Sequence, residues 1–161
     1  LTRSRRPLAE LRLIAVGKLG SGPEAALFER YNARLRPRLA VVEIADGKGS
    51  PVEIKRREAA GLLAALPAGA FVVALDHGGV VPDSETFSRR LTSWIESGKP
   101  VCFVIGGAEG LDSSVIARAD HVLSLGALTW PHLLVRTMLA EQIFRGRAIA
   151  AGHPYHRGGR P

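Results

Sequence analysis

Residues 100–110 read PVCFVIGGAEG. Val101 to Ile105 are apolar without interruption, so no alternation sets a wet face against a dry one. A run of that length, bounded by a proline and a pair of glycines, is the pattern of a strand covered on both faces. Such strands belong to parallel sheets sandwiched between helices. The glycines then mark the point where the chain leaves the sheet.

Working outward, the same unit recurs. AFVVALD (70–76) is a second nearly continuous apolar run, and LRLIAVG (11–17), LAVVEIAD (39–46) and HVLSLG (121–126) complete a predicted set of five strands. Between them lie segments with helical spacing. PEAALFERYNARLR (23–36) begins with proline and sets Leu27, Tyr31 and Leu35 four residues apart. PVEIKRREAAGLLAALP (51–67) runs between two prolines, and DSETFSRRLTSWIESG (83–98) has Asp83 or Ser84 as its cap and Gly98 as its stop. LDSSVIARA (111–119) is a short helix, and PHLLVRTMLAEQIFRGR (131–147) is a long one with Pro131 in its first turn. Strict alternation of strand and helix predicts the α/β class: a parallel sheet with helices on both faces.

Ligands of such sheets bind outside the carboxyl ends of the strands. That singles out LDHGG (75–79), GGAEG (106–110) and GALTWPH (126–132). Each glycine also has a plain reading as a turn residue. The absent motifs are equally informative. There is no G-x-x-x-x-G-K-[ST] phosphate loop, and GGAEG is not the G-x-G-x-x-G of a dinucleotide site. Neither G-x-S-x-G nor H-E-x-x-H occurs. Cys102, the only cysteine, excludes an internal disulfide and an all-cysteine metal site, and its place inside a strand reads as core. No metal is expected, and the cysteine usage suits a reducing, cytoplasmic setting.

The 161 residues fit one domain over 11–161, preceded by a basic N-terminal extension, LTRSRRPLAE (1–10). No apolar run approaches a membrane span. The net charge of +7 is concentrated at the ends: Arg3, Arg5, Arg6, Arg12 and Lys18 stand against Glu10 alone, and residues 118–161 hold six arginines against Asp120 and Glu141. A polyanion such as nucleic acid suits this surface, either as the substrate of an enzyme or as the partner of a non-catalytic basic RNA- or ribosome-binding protein.

The last helix is apolar around almost its whole circumference, through Leu133, Leu134, Val135, Met138, Leu139, Ile143 and Phe144. It is therefore covered either by the tail or by another chain. Glu141 and Arg145 are spaced as an ordinary helix ion pair, and His132 shares a face with Arg136. The tail, GHPYHRGGRP (152–161), holds His153, Tyr155, His156 and Arg157 together. These groups can move protons, stack on rings and grip anions.

VIGGAEGL (104–111), SLGALTWPHLLVR (124–136) and AEQIFRGRAIAAGHPYHR (140–157) together resemble the RlmH family of SPOUT-class methyltransferases, over residues 11 to 157. The resemblance implies a C-terminal trefoil knot, a homodimer, and the cofactor S-adenosylmethionine. It implies as substrate N3 of a pseudouridine in 23S ribosomal RNA, within the large subunit or the 70S ribosome. It assigns cofactor contacts to Leu75, to Gly106 and Gly107, and to Leu125, Gly126, Ala127, Leu128, Thr129 and Trp130. It points to Tyr155, His156, Arg157, His132 and Arg136 for catalysis, and to Arg136, Arg145, His153 and Arg157 for RNA. In that reading Tyr155 stacks on or hydrogen-bonds the base, His153 or His156 relays a proton, and the tail lies across the partner's pocket.

Overall fold

The structure, a computed structural model, describes residues 9–158. Most of the expected N-terminal extension and the last three residues of the tail lie outside the described residues.

Five parallel strands are present: β1 (Leu11–Val16), β2 (Leu39–Ile44), β3 (Phe71–Val80), β4 (Val101–Ile105) and β5 (His121–Leu123). They form one sheet in the order β2-β1-β4-β3-β5. β4 lies at its centre and is buried at all five positions, as its uninterrupted apolar run requires. The helices are α1 (Pro23–Asn32), α2 (Pro51–Ala64), α3 (Ser84–Glu96), α4 (Ser113–Arg118) and α5 (His132–Ala150).

Strand alternation divides the core in two. Leu11, Leu13, Ala15, Val73, Val101, Phe103 and Ile105 face a layer built from Phe28 of α1, Phe87, Leu91 and Trp94 of α3, and Leu139, Ala140 and Ile143 of α5. Ile14, Val16, Val72, Ala74, Cys102 and Val104 face Ala59 and Leu62 of α2 and Val115 of α4. The sheet is thus covered on both sides, as predicted. Trp94 anchors the first layer, with Phe71 stacked at 5.3 Å and Phe87 and Phe103 edge-on at 6.2 and 6.4 Å. Burial pushes the Cys102 thiol up to about 11, which makes it core and not a nucleophile.

The helix starts follow their caps. Asp83 accepts the Thr86 N–H at 2.7 Å, which resolves the choice between Asp83 and Ser84. Ser50 and Asp112 cap α2 and α4 in the same way. Gly98, just beyond α3, has φ +79°, where a side chain would be strained.

Several element ends differ from the sequence reading: β3 runs on to Val80, α2 stops at Ala64 and α5 continues to Ala150, and two further ends have a visible cause. α1 stops at Asn32 because that side chain leaves the helix: it bonds both the N–H and the C=O of Leu39 on β2. β5 stops at Leu123 because Ser124 turns the chain, its hydroxyl bonded to the N–H and C=O of Gly126.

α5 lies between α1 and α3. Arg136 on it is completely buried and reaches the carboxyl end of β1, donating to the carbonyls of Val16 and Gly17 at 3.1 and 2.8 Å. It also pairs with Glu43 of β2 at 2.7 Å. Glu43 in turn accepts the Leu19 N–H at 2.7 Å.

The Arg136 hydrogen bond holds the Glu43 carboxyl below the ordinary glutamate value. A carboxyl so lowered contributes stability above its unfolded value, and that stability is lost as pH falls through the folded one. Glu43→Gln should therefore flatten the loss of stability on acidification in that window. Glu43→Ala, which strands a buried guanidinium, should cost about 2–3 kcal/mol at neutral pH, less than a fully buried pair because Glu43 is 36% exposed. Urea unfolding of the wild type and both variants across pH measures both effects.

Candidate active site

At the carboxyl ends of β3, β4 and β5 the chain forms a cavity of about 250 Å³. Its walls include Leu75, Gly106, Gly107, Leu125, Gly126, Leu128, Thr129 and Trp130, so the three glycine-marked loops meet around one space. Ala127, the remaining residue of that group, takes part through its carbonyl, which accepts from His77 Nε2 at 2.8 Å. The route of the chain explains the convergence. β5 is the outer strand beside β3, whereas α5 is tied to β1. Residues 124–131 must therefore cross above the ends of β3 and β4.

Among the described residues no lysine or arginine lines this cavity; the ionisable side chains there are Asp76, His77 and His132. A nucleotide phosphate would find no cation here. The walls offer apolar surface and bare backbone instead, suited to a ligand with a flat ring and no phosphates. His132 lies over the end of β1, where its Nε2 would come within 3.9 Å of a Cβ on Gly17.

Gly106 and Gly107 are glycines for a reason that lies away from the cavity. A Cβ on Gly106 would meet the Gly110 backbone at 2.9 Å. One on Gly107 would meet both carboxylate oxygens of Glu58 and Val16 Cγ1 at 3.1 Å. Glu58 is a buried carboxylate on α2, with one oxygen bonded to the Gly47 N–H and the other without a partner. The two glycines thus keep the β4 turn tight against the core, and bulk there would disturb the fold before it touched a ligand.

A second and larger cavity, about 540 Å³, lies on the other side of Leu123, Ser124 and Leu125, which line both. Asp83, Ser84 and Glu85 of the α3 start, Met138 and Gln142 of α5, and His156 and Gly158 of the tail complete it.

The tail folds back on its own α5. The Tyr155 ring meets Phe144 edge-on at 4.8 Å and lies under the Arg145 guanidinium at 4.9 Å, while its hydroxyl donates to Glu141 at 3.1 Å. Glu141 and Arg145 form the expected helix pair at 2.6 Å. Burial, then the Glu141 charge, raises the Tyr155 hydroxyl above its ordinary value and keeps it protonated. The tail of the same chain therefore supplies part of the cover of α5, although Leu133, Leu134, Val135 and Met138 remain half-exposed.

These contacts correct four expectations. Arg136 has no face free for a phosphate or a base, because its guanidinium is buried on Glu43 and two carbonyls. Tyr155 is not free to stack on a base, because both its ring and its hydroxyl are engaged. Arg145 is committed to Glu141, Tyr155 and His156. His156 is not a proton acceptor as placed: Arg145 donates to Nδ1 at 3.1 Å, so in the neutral ring the proton sits on Nε2, which becomes a donor. That Nε2 lies 4.0 Å from Glu85. His153 and Arg157 are exposed. Three polar residues of this cavity are not among the expected site residues: Asp76, His77 and Ser124. His77 stood in the LDHGG loop, but that loop was read for its glycines.

Among the described residues no cluster of histidine, cysteine, aspartate or glutamate could hold a metal ion, and no helix is long and apolar enough to cross a membrane.

Comparison with known proteins bears directly on this arrangement. The Haemophilus influenzae structure described as a probable methylase family protein shares the fold, with a TM-score of 0.58 over 96% of this chain and 73% of that one, at 9% identity. Ribosomal RNA large subunit methyltransferase H of Gluconacetobacter diazotrophicus is 60% identical over 151 residues, covering 94% of this chain and 99% of the relative. The protein of the same name from Acidiphilium cryptum is 59% identical over 155 residues, covering 96% and 98%. The family model for predicted SPOUT methyltransferases matches residues 9–156. The chain belongs to the SPOUT methyltransferase family.

Proposed function

We propose that this methyltransferase uses S-adenosylmethionine to methylate N3 of a pseudouridine in 23S ribosomal RNA, in the large subunit or the assembled ribosome, and hence in the cytoplasm. The observation that carries the reading is the pair of cavities sharing Leu123–Leu125. One is cation-free and bordered by glycine backbone; the other carries the tail.

The smaller cavity fits the cofactor by its chemistry. Leu75, Leu125, Leu128 and Trp130 offer apolar surface to an adenine. The backbone around Gly107 and Gly126 offers hydrogen bonds, and the lack of cationic side chains suits a group that is itself positive. When bound, the cofactor supplies a methyl group already activated on a sulfonium. The crossing of residues 124–131 above β3 and β4 supports the trefoil knot implied by the sequence.

The chain's own work is on the base. An imide nitrogen is a poor nucleophile until it loses its proton, so the protein must favour the anion and hold the ring in line. Arg145 and Glu141 pin the tail and fix the His156 tautomer. The Nε2–H of His156 then points a donor into the larger cavity, suited to an imide oxygen that gains charge. Arg157 adds a free cation, and exposed His153 is placed to contact the RNA. Tyr155 anchors this arrangement from behind.

Leu125→Trp, which fills the shared wall, should weaken S-adenosylmethionine binding at least tenfold in calorimetry while the unliganded melting temperature moves by only a few degrees. Unchanged affinity would place the cofactor elsewhere.

His156→Ala and Arg157→Ala should each slow single-turnover methylation about tenfold or more at saturating cofactor, with cofactor affinity kept within a few-fold. His156→Gln, which retains a donor, should recover part of the rate. Normal turnover in both alanine variants would remove the tail from the chemistry.

The half-exposed Leu133, Leu134, Val135 and Met138 join Leu128, 70% exposed, and Trp130 beside the smaller cavity. This apolar surface supports a homodimer formed through the first half of α5 and the loop before it. Sedimentation at low micromolar concentration should give the dimer mass, and Leu133→Arg with Leu134→Arg should give the monomer.

A further inference from the structure

We infer that His77 is a positioning residue that clasps the cofactor loop over the smaller cavity. The inference rests on the cofactor reading above for its ligand, but its geometry stands alone.

The pairing of β3 with β5 contains an interruption. Leu75 and Val80 both stand opposite Leu123, so the residues between them, Asp76 to Gly79, are looped out of the ladder. The loop is shaped at both ends. Asp76 accepts the Gly78 N–H at 2.9 Å. Gly79 lies so close to β5 that a Cβ there would meet the Val122 carbonyl oxygen at 2.6 Å. The looped-out segment is thereby held with His77 at the cavity, and the ring reaches Ala127, fifty residues further along the chain.

Ala127 sits in a stretch with little else to hold it. Ser124 secures the chain as far as Gly126, and Pro131 begins the anchorage of α5. Among the described residues, the bond from His77 to the Ala127 carbonyl is the one hydrogen bond that residues 127–130 make. Within a single chain Leu128 is 70% exposed and Trp130 is partly exposed, so packing inside the chain does not replace it. A carbonyl can only accept, so His77 Nε2 carries the proton in this contact. The imidazole thus ties the looped-out turn after β3 to the crossing segment after β5, closing the wall that the two share.

The consequence is preorganisation. Leu128, Thr129 and Trp130, which follow Ala127, border the space assigned to the cofactor, and a ligand that must first order them binds less tightly. His77 is exposed, so its replacement should leave the fold intact.

Two measurements test the inference. In the unliganded protein, His77→Ala should raise amide hydrogen exchange at residues 127–130 several-fold without change in β1 or β4, and His77→Gln, which keeps an N–H donor, should restore part of the protection. With S-adenosylmethionine, followed through Trp130 fluorescence in stopped flow, His77→Ala should dissociate about fivefold faster, the effect of one net hydrogen bond. Equal exchange at 127–130 in wild type and His77→Ala would overturn the clasp, whatever the ligand. Failure of the wild type to bind S-adenosylmethionine, with the exchange difference present, would instead overturn the cofactor reading and leave the clasp standing.

Discussion

A guanidinium with no exposure to solvent ties the carboxyl end of the sheet together. Arg136 stands on the last helix but spends its hydrogen bonds on the first strand and on Glu43 of the second. Taking a guanidinium out of water costs several kcal/mol, and the position survives because one carboxylate and two carbonyls receive it. The geometric consequence is larger than the energetic one. Because α5 is drawn to β1, the chain that leaves β5 at the far side of the sheet has to cross β3 and β4 to get there. That crossing segment is the wall of the smaller cavity. The anchor adds to the packing of Leu139, Ala140 and Ile143 in holding α5 where residues 124–131 must cross the strand ends to reach it.

The second constraint is closeness. Gly106 and Gly107 leave β4 so tightly that any side chain would strike Gly110 or the buried Glu58, and Gly79 lies against the β5 backbone. The cavity is small because these turns are tight. Its lack of cationic side chains follows from where the charges went: Arg136 is sealed beneath, Arg145 is turned toward the tail, and Arg118 pairs with Asp120 at the opposite end of β5. Among the described residues, a protein of strong positive charge thus keeps one space at its strand ends free of lysine and arginine.

The layered fold was legible because it rests on local patterns. Uninterrupted apolar runs such as Val101–Ile105 can only be buried strands, and Asp83, Ser50 and Pro131 announce helix starts. What could not be read were contacts between distant residues. Arg136 reads as a free cation because its partner Glu43 is 93 residues away. Residues 33–36 read as helix because Leu39, which the Asn32 side chain binds where the helix ends, lies beyond the local pattern. The strand-end loops that line the smaller cavity are marked in the sequence by their glycines, but His77 carries no such mark because its partner is a backbone carbonyl, which no residue type betrays. Tyr155 was read as free for a base because aromatic and basic residues side by side look the same whether they await a ligand or hold each other.

The tail packs on its own helix and also lines a cavity. Its residues divide by direction. Tyr155 faces inward, and its contacts with Phe144, Arg145 and Glu141 are those of a core residue at the edge of the domain. His156, one position on, has its two ring nitrogens assigned to different tasks: Nδ1 is held from within by Arg145, and Nε2 is left at the cavity. The inward set decides the tautomer of the outward atom. A tail packed only for stability would have no need to fix which nitrogen carries the proton, and a tail free in solution could not do so. The Glu141–Arg145 pair, an unremarkable helix ion pair by its spacing, acquires its importance from this position: it ties the tail to α5 and, through Nδ1, decides which nitrogen of His156, a residue that lines the larger cavity, carries the proton.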